Sequence, residues 1–278
     1  MTAVAIQGAP GAFSHEAGRR IYGAAVRIVP CETFEELFAA VSAGRADRGV
    51  VPVENTLAGA VQRPMDLLLT GGLHAIAETR VPVRLCLAAR PGVRLEHVRK
   101  AASHPVALDQ CHRFFATHPW IARTTAYDTA GSIKNLMEGS ADYDAGIGSE
   151  LAADLYGAEV LVRGLEDDHR NHTRFLVLAR EGAMPEAGAL ARPKTSIAFT
   201  LAHRPGALHH ALGCVAVEAV DLSRLESRPI PGRPWEYRFY ADLRGAPAAA
   251  QDRALTALRA ACGEVHVIGR YEEEPAGE

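Results

Sequence analysis

Compact apolar runs and helix-spaced apolar positions take turns along the first two thirds of the chain. Residues 4–6, 26–30 and 49–53 are apolar runs of strand length, whereas Phe34, Leu37, Phe38 and Val41 recur at helix spacing. Thr33 followed by Glu36 supplies a capping box for that helix. The alternation continues from Val81 to Leu178 and predicts helices starting near Pro105, Thr129 and Ser149, then a strand over residues 175–178. Strands that alternate with helices in this way predict an α/β domain with a mostly parallel sheet. Between Arg180 and Gly188, glycine, proline and charge replace the periodic pattern, which marks a linker. After it the pattern predicts strand 195–201, helix 205–215, strands 222–227 and 237–243, helix 248–261 and strand 265–268. That βαββαβ order is ferredoxin-like, and the charged tail 272–275 is expected to fray.

Composition narrows the class of function. A chain of 278 residues with 48% hydrophobic and 23% charged residues is globular and long enough for two domains. A net charge of −3 offers no broad field for nucleic acid or anionic lipid, so small molecules are the expected partners. The five cysteines are scattered without C-x-x-C spacing and read as buried cytosolic thiols. No signal-peptide pattern opens the chain and no apolar run approaches about 18 residues, so a soluble, cytoplasmic protein is expected.

Polar groups collect at strand ends, where open α/β sheets bind ligands. The turn Gly8 to Ser14 joins a strand to a helix and suits an anion, although glycines and proline at such a turn are more often tight-turn chemistry alone. Glu54, Asn55 and Thr56 follow a strand; Ser103-His104-Pro105 precedes a helix bearing Gln110; Asp128-Thr129 precedes another. Each also fits a plain turn or N-cap. Asp168 to Phe175 crowds hydroxyl, guanidinium, amide and two imidazoles ahead of an apolar strand. Arg174 suits a carboxylate because its planar fork stays charged, while an Arg–Asp pair bracing a surface loop is the competing reading. His169 and His172 have no third ligand in view, so no metal is expected.

In this order the stretches resemble the prephenate dehydratase family. The resemblance runs through Gly8 to Ser14, Val53-Glu54-Asn55-Thr56 with Gly59, Ser103-His104-Pro105 with Gln110-Cys111, Asp128-Thr129-Ala130 and Asn171-His172-Thr173-Arg174-Phe175-Leu176. Arg204-Pro205-Gly206-Ala207-Leu208 and Leu225-Glu226-Ser227-Arg228-Pro229 resemble the two motifs of an ACT regulatory domain.

The resemblance implies a catalytic domain over 1–180, two-lobed like periplasmic binding proteins, with lobe one at about 1–77 and 161–180 and lobe two at about 78–160. A linker over 181–193 and an α+β ferredoxin-like ACT domain over 194–272 complete the expected division. It further implies a carbon–oxygen lyase of phenylalanine biosynthesis that converts prephenate to phenylpyruvate without a cofactor. Thr173 would be the catalytic hydroxyl, with Glu54 as relay or proton source. Asn55, Thr56, Ser103, Gln110, Thr129, Arg174 and Phe175 would bind substrate. Phenylalanine would bind as effector at Gly206, Ala207, Leu208, Asp221, Leu222, Glu226, Ser227, Arg228 and Pro229, in a homodimer or homotetramer. Asp221 stands where the family commonly has asparagine. Arogenate dehydratase and a non-catalytic amino-acid sensor are the alternative readings.

Overall fold

The computed structural model describes residues 1–183, 185–230 and 232–275. Its contacts divide the chain into two units, one of Met1–Met65 with Thr79–Leu176, the other of Asp66–Glu78 with the chain from Val177 onward.

The first unit opens with β1 (Ala3–Gln7), α1 (Phe13–Tyr22), β2 (Arg27–Cys31), α2 (Phe34–Ser42) and β3 (Arg48–Asn55). β1 pairs parallel with β2 and β3. Val4, Ala5 and Ile6 on β1 and Val50, Val51 and Val53 on β3 are fully buried, as are Leu37 and Val41 on α2. Each buried side chain of this size contributes roughly 1.5–3 kcal/mol, which is why the apolar runs decide the sheet. The threonine half of the capping box forms, with Glu36 N–H donating to Thr33 Oγ1 at 3.1 Å, while Glu36 Oε2 accepts from Glu32 N–H, one residue before the N-cap, at 2.8 Å.

A short β4 (Gly59–Ala60), α3 (Gln62–Thr70) and β5 (Leu73–Pro82) lead to the second lobe. That lobe comprises β6 (Cys86–Ala89), β7 (Lys100–Ser103), α4 (Pro105–Asp109), α5 (His112–Thr117), β8 (Ala122–Thr125), α6 (Thr129–Met137), β9 (Ala145–Gly148), α7 (Glu150–Tyr156) and β10 (Glu159–Arg163). Its sheet runs β10-β6-β9-β7-β8. Only the pairs involving β7 are parallel, so this sheet is mixed and the parallel expectation suits the first lobe alone. The expected lobe boundary at residue 160 also needs correction. β10 runs to Arg163 and pairs with β6 along its length, because a strand abandoned mid-ladder would leave backbone groups unpaired. The chain then returns to the first lobe as β11 (His172–Arg180), giving the order β11-β3-β1-β2 and a discontinuous first lobe.

The second unit carries β12 (Pro193–Thr200), α8 (Ala207–Ala216), β13 (Asp221–Ile230), β14 (Arg233–Arg244), α9 (Ala248–Ala261) and β15 (Val265–Glu272). The order β13-β14-β12-β15, antiparallel throughout, is the ferredoxin-like sheet. Ile197, Phe199, Leu243, Ala211, Val215, Leu255 and Leu258 form its core. β5 adds to β15 where Gly269 opposes Ala75, and a Cβ at 269 would lie 2.1 Å from the Ala75 carbonyl oxygen. Residues 66–78 therefore depart from the expected division. Glu78 forms a fully buried ion pair with Lys194 at 3.0 Å, and Asp66 accepts from Arg228 Nη1 at 2.5 Å and from the Tyr240 hydroxyl at 2.9 Å.

The tail is not frayed as far as Glu274. Glu273 N–H donates to the Arg192 carbonyl at 2.8 Å and Glu274 N–H to Glu78 Oε1 at 3.0 Å. Met184 of the expected linker lies outside the described residues. Among the described residues no helix is long and apolar enough to cross a membrane.

Candidate active site

A cleft of about 770 Å³ opens within the first unit, with walls drawn from both of its lobes. Strand alternation selects which side chains reach it, since neighbours on a strand point to opposite faces. On β11, Thr173 and Phe175 line the cleft; at the end of β3, Asn55 does. Glu54 and Arg174 do not line the cleft and pair with each other at 3.3 Å, Arg174 with a buried side chain. Of the expected site residues, these two are therefore engaged with each other and stand apart from the cleft lining.

Asn55 organises the first wall. Its Nδ2 donates to Asn171 Oδ1 at 2.8 Å, to the His172 carbonyl at 3.2 Å and to Thr173 Oγ1 at 3.0 Å, while its Oδ1 accepts from Leu57 N–H at 3.0 Å and Ala58 N–H at 2.7 Å. Asn171 is fully buried and donates to Gln110 Oε1 at 2.9 Å. Thr56 is taken up by the same loop, accepting from His172 N–H at 3.0 Å, and it does not line the cleft. Because Thr173 Oγ1 accepts from an amide, its hydroxyl proton is available for donation from a side chain that lines the cleft. A buried network of this kind fixes a hydroxyl's polarity as well as its position.

The second wall brings Gln110 and Thr129, as expected, but not Ser103. Ser103 is fully buried and donates to the Ile147 carbonyl at 2.6 Å, so it holds β7 against β9. Asp128 is the N-cap of α6, accepting from Gly131 N–H, which leaves Thr129 at the helix start to face the cleft. α1 begins at the cleft with Phe13 and Ser14, and its N-cap Ala12 makes no side-chain cap. Uncapped N–H groups and the helix dipole favour an anion there.

Sequence reading missed Gln7, Arg63 and Tyr127, which also line the cleft. Arg63 is its sole lysine or arginine among the described residues and donates to Glu35 Oε1 through Nε at 2.6 Å. The signal available for Arg63 was the Gln62-Arg63-Pro64 helix start; for the other two, no local pattern points across a cleft. Asp168 and Arg170 pair at 2.8 Å and shape the exposed loop before β11, and that guanidinium holds the Asp168 carboxyl far below the usual range. Among the described residues, no group of three potential metal ligands converges. Burial pushes Cys86 and Cys111 up to about 12, which makes them inert thiols.

Burial on α1 raises Glu16 to about 7 from 4.5. The folded state thus prefers the neutral carboxyl, and its contribution to stability is full below about 4.5 and is lost as pH rises through 7. Glu16→Gln is expected to raise stability at pH 8 by on the order of 3 kcal/mol and to change little at pH 4, read as paired urea midpoints. Equal shifts at both pH values would contradict this.

In the second unit Ala207 and Leu208 line a small cavity of about 130 Å³ with Trp235, Tyr237 and Phe239. The rest of the expected effector set does not line it. Gly206, at φ 79°, caps α8, Asp221 pairs with Arg244 at 3.0 Å, Glu226 with Arg224 at 2.6 Å and Arg228 with Asp66. The extra charge of Asp221 thus meets a cation of its own sheet. Among the described residues, the two motifs are not brought together in this cavity.

A family model described as prephenate dehydratase matches residues 4–183. The Arabidopsis thaliana protein named arogenate dehydratase/prephenate dehydratase 2, chloroplastic, is 38% identical over 278 residues, 96% of this chain and 72% of that one. Among solved structures, prephenate dehydratase from Arthrobacter aurescens in complex with L-Phe is 32% identical with TM-score 0.89, over 99% of this chain and 92% of that one. Another, described as GqqA, a novel type of quorum quenching acylase, is 34% identical with TM-score 0.87, covering 98% of each chain.

Proposed function

The chain belongs to the prephenate dehydratase family of carbon–oxygen lyases, with prephenate/arogenate dehydratase activity, and on that premise we propose that prephenate is its preferred substrate and phenylalanine its allosteric effector. Prephenate and arogenate differ in one group, a side-chain keto oxygen against an ammonium. The observation that carries the preference is the state of the cleft's carboxylates. Glu35 is engaged by Arg63, and Asp128 by the N–H groups of Gly131 and Ala9, so neither is placed to read an ammonium. Donors that suit carboxylates and a ketone remain: the start of α1, Gln110 and Thr129. Assaying phenylpyruvate formation from prephenate beside phenylalanine formation from arogenate tests it. A larger kcat/KM for arogenate would reverse the assignment.

In the reaction the ring hydroxyl leaves as water, carbon dioxide departs, and the ring becomes aromatic. The C–O pair goes to the leaving oxygen, which takes a proton from Thr173, and the C–CO₂ pair enters the ring. Thr173 is then reprotonated from water. The amide of Asn55 donating into Oγ1 makes that proton easier to give and cleaves no bond itself. The acylase named for one relative would instead need a base to activate a nucleophile. Thr173 Oγ1 accepts from Asn55, which is an arrangement for proton donation.

The cavity at Ala207 and Leu208 is well below the size of a usual ligand site, which supports an effector site completed by a second copy in a dimer or tetramer. Gly206 has no atom within 4 Å of an added Cβ but adopts φ 79°, so a branched side chain there strains the turn at the start of α8. Gly206→Val is expected to abolish the response to millimolar phenylalanine and to leave unregulated turnover in place, measured by the same assay. A fully sensitive variant would count against this effector site. The scattered free thiols fit a cytoplasmic setting.

A further inference from the structure

We propose that Tyr127 is a positioning residue for the reaction, a clasp that ties the mouth of the second lobe to the first and so sets the distance between the two walls of the cleft. The proposal rests on the dehydratase reading given above.

Tyr127 follows β8 and is 67% exposed, so burial does not hold its ring in place. Its hydroxyl does. It donates to the Glu32 carbonyl and accepts from Gln7 Nε2 at 3.1 Å, and Gln7 Nε2 itself lies 3.4 Å from the same carbonyl. Gln7 ends β1 and Glu32 follows β2, so every partner of this hydroxyl stands on the opposite lobe. The next residue adds a second link: Asp128 Oδ2 accepts from Ala9 N–H at 3.3 Å while Oδ1 caps α6. The helix cap holds the backbone from which Tyr127 reaches across.

Two further links join the lobes behind this mouth. Ser149 Oγ donates to the Gly11 carbonyl at 2.6 Å and the Tyr156 hydroxyl to the Pro10 carbonyl at 2.9 Å. Ser149 is buried, and at Gly11 an added Cβ would come within 2.6 Å of Ala152 Cα, so this contact is close and shielded from water. Tyr127 differs because water competes for its bonds. It is the link that breaks and reforms as substrate enters and product leaves. Once closed, it keeps Thr129 and Gln110 at a fixed spacing from Thr173 and keeps water from the departing ring carboxylate.

The test compares the full-length wild type with Tyr127→Phe, Gln7→Ala and the double variant, using prephenate and arogenate. Tyr127→Phe keeps the ring and removes only the hydroxyl. The expected result is a roughly five- to thirty-fold fall in kcat/KM, carried mainly by KM, on the scale of losing one or two hydrogen bonds. The double variant should be no worse than Tyr127→Phe alone, since both break one clasp. Thermal midpoints should match the wild type, which separates positioning from folding. A kcat/KM within two-fold of wild type, or additive losses in the double variant, would overturn the proposal. Wild-type protein that turns over neither substrate would instead overturn the dehydratase reading.

Discussion

Replacing Thr173 by valine is expected to lower kcat by roughly 10²–10⁴-fold while KM changes much less, the range for removing a positioned proton donor. Valine keeps the β-branched shape that suits a strand, so β11 should still pair with β3. Asn55 Nδ2 loses one acceptor but retains Asn171 Oδ1 and the His172 carbonyl, so no buried donor is stranded. The loss therefore reports on chemistry, and an unchanged thermal midpoint would check that. Thr173→Ser should recover part of the rate, because the hydroxyl returns with more rotational freedom. If the valine variant turns over within a few-fold of wild type, Thr173 is not the donor.

The second large effect is expected from Asn55→Asp, a change of one atom in an otherwise isosteric side chain. Asn55 presents its NH₂ to three oxygens, those of Asn171, His172 and Thr173, between 2.8 and 3.2 Å away. A carboxylate oxygen in that place faces acceptors it cannot satisfy, which costs roughly 1–3 kcal/mol of stability or more for a charged group. Besides a flip of the Asn171 amide, the Thr173 hydroxyl adapts by turning to donate to the carboxylate. Its proton would then be withdrawn from the cleft. Turnover should fall by about 10²-fold or more even where the variant is fully folded, because proton donation is removed by misdirection. Activity near wild type in a folded Asn55→Asp protein would show that the amide does not set the polarity of Thr173.

These two residues also mark how far the site was legible in the chain. Thr173 and Asn55 were both named from the sequence, and both face the cleft. Their neighbours Arg174 and Glu54 were named with them, and alternation on a strand already implies that adjacent residues cannot share one face. Which of each pair would face substrate depended on which side of the first sheet met the second lobe. Ser103 shows a similar limit: its hydroxyl donates to the Ile147 carbonyl, 44 positions away, and nothing local announces that.

The sequence by itself determined the alternation of elements, the helix starts at Thr33, Asp128 and Ser149, the ferredoxin-like order after Pro193 and the family. All of these rest on short-range periodicity, capping chemistry and motif order, which act between residues a few positions apart. The tertiary structure alone decided that β10 stays with the second sheet, that residues 66–78 join the C-terminal unit, that Glu54 and Arg174 neutralise each other, and that Gln7 and Tyr127 meet across the cleft. Each joins groups far apart in the chain. Such pairings are set by the packing of whole sheets and by the cost of leaving a buried polar group unpaired, so no local pattern encodes them.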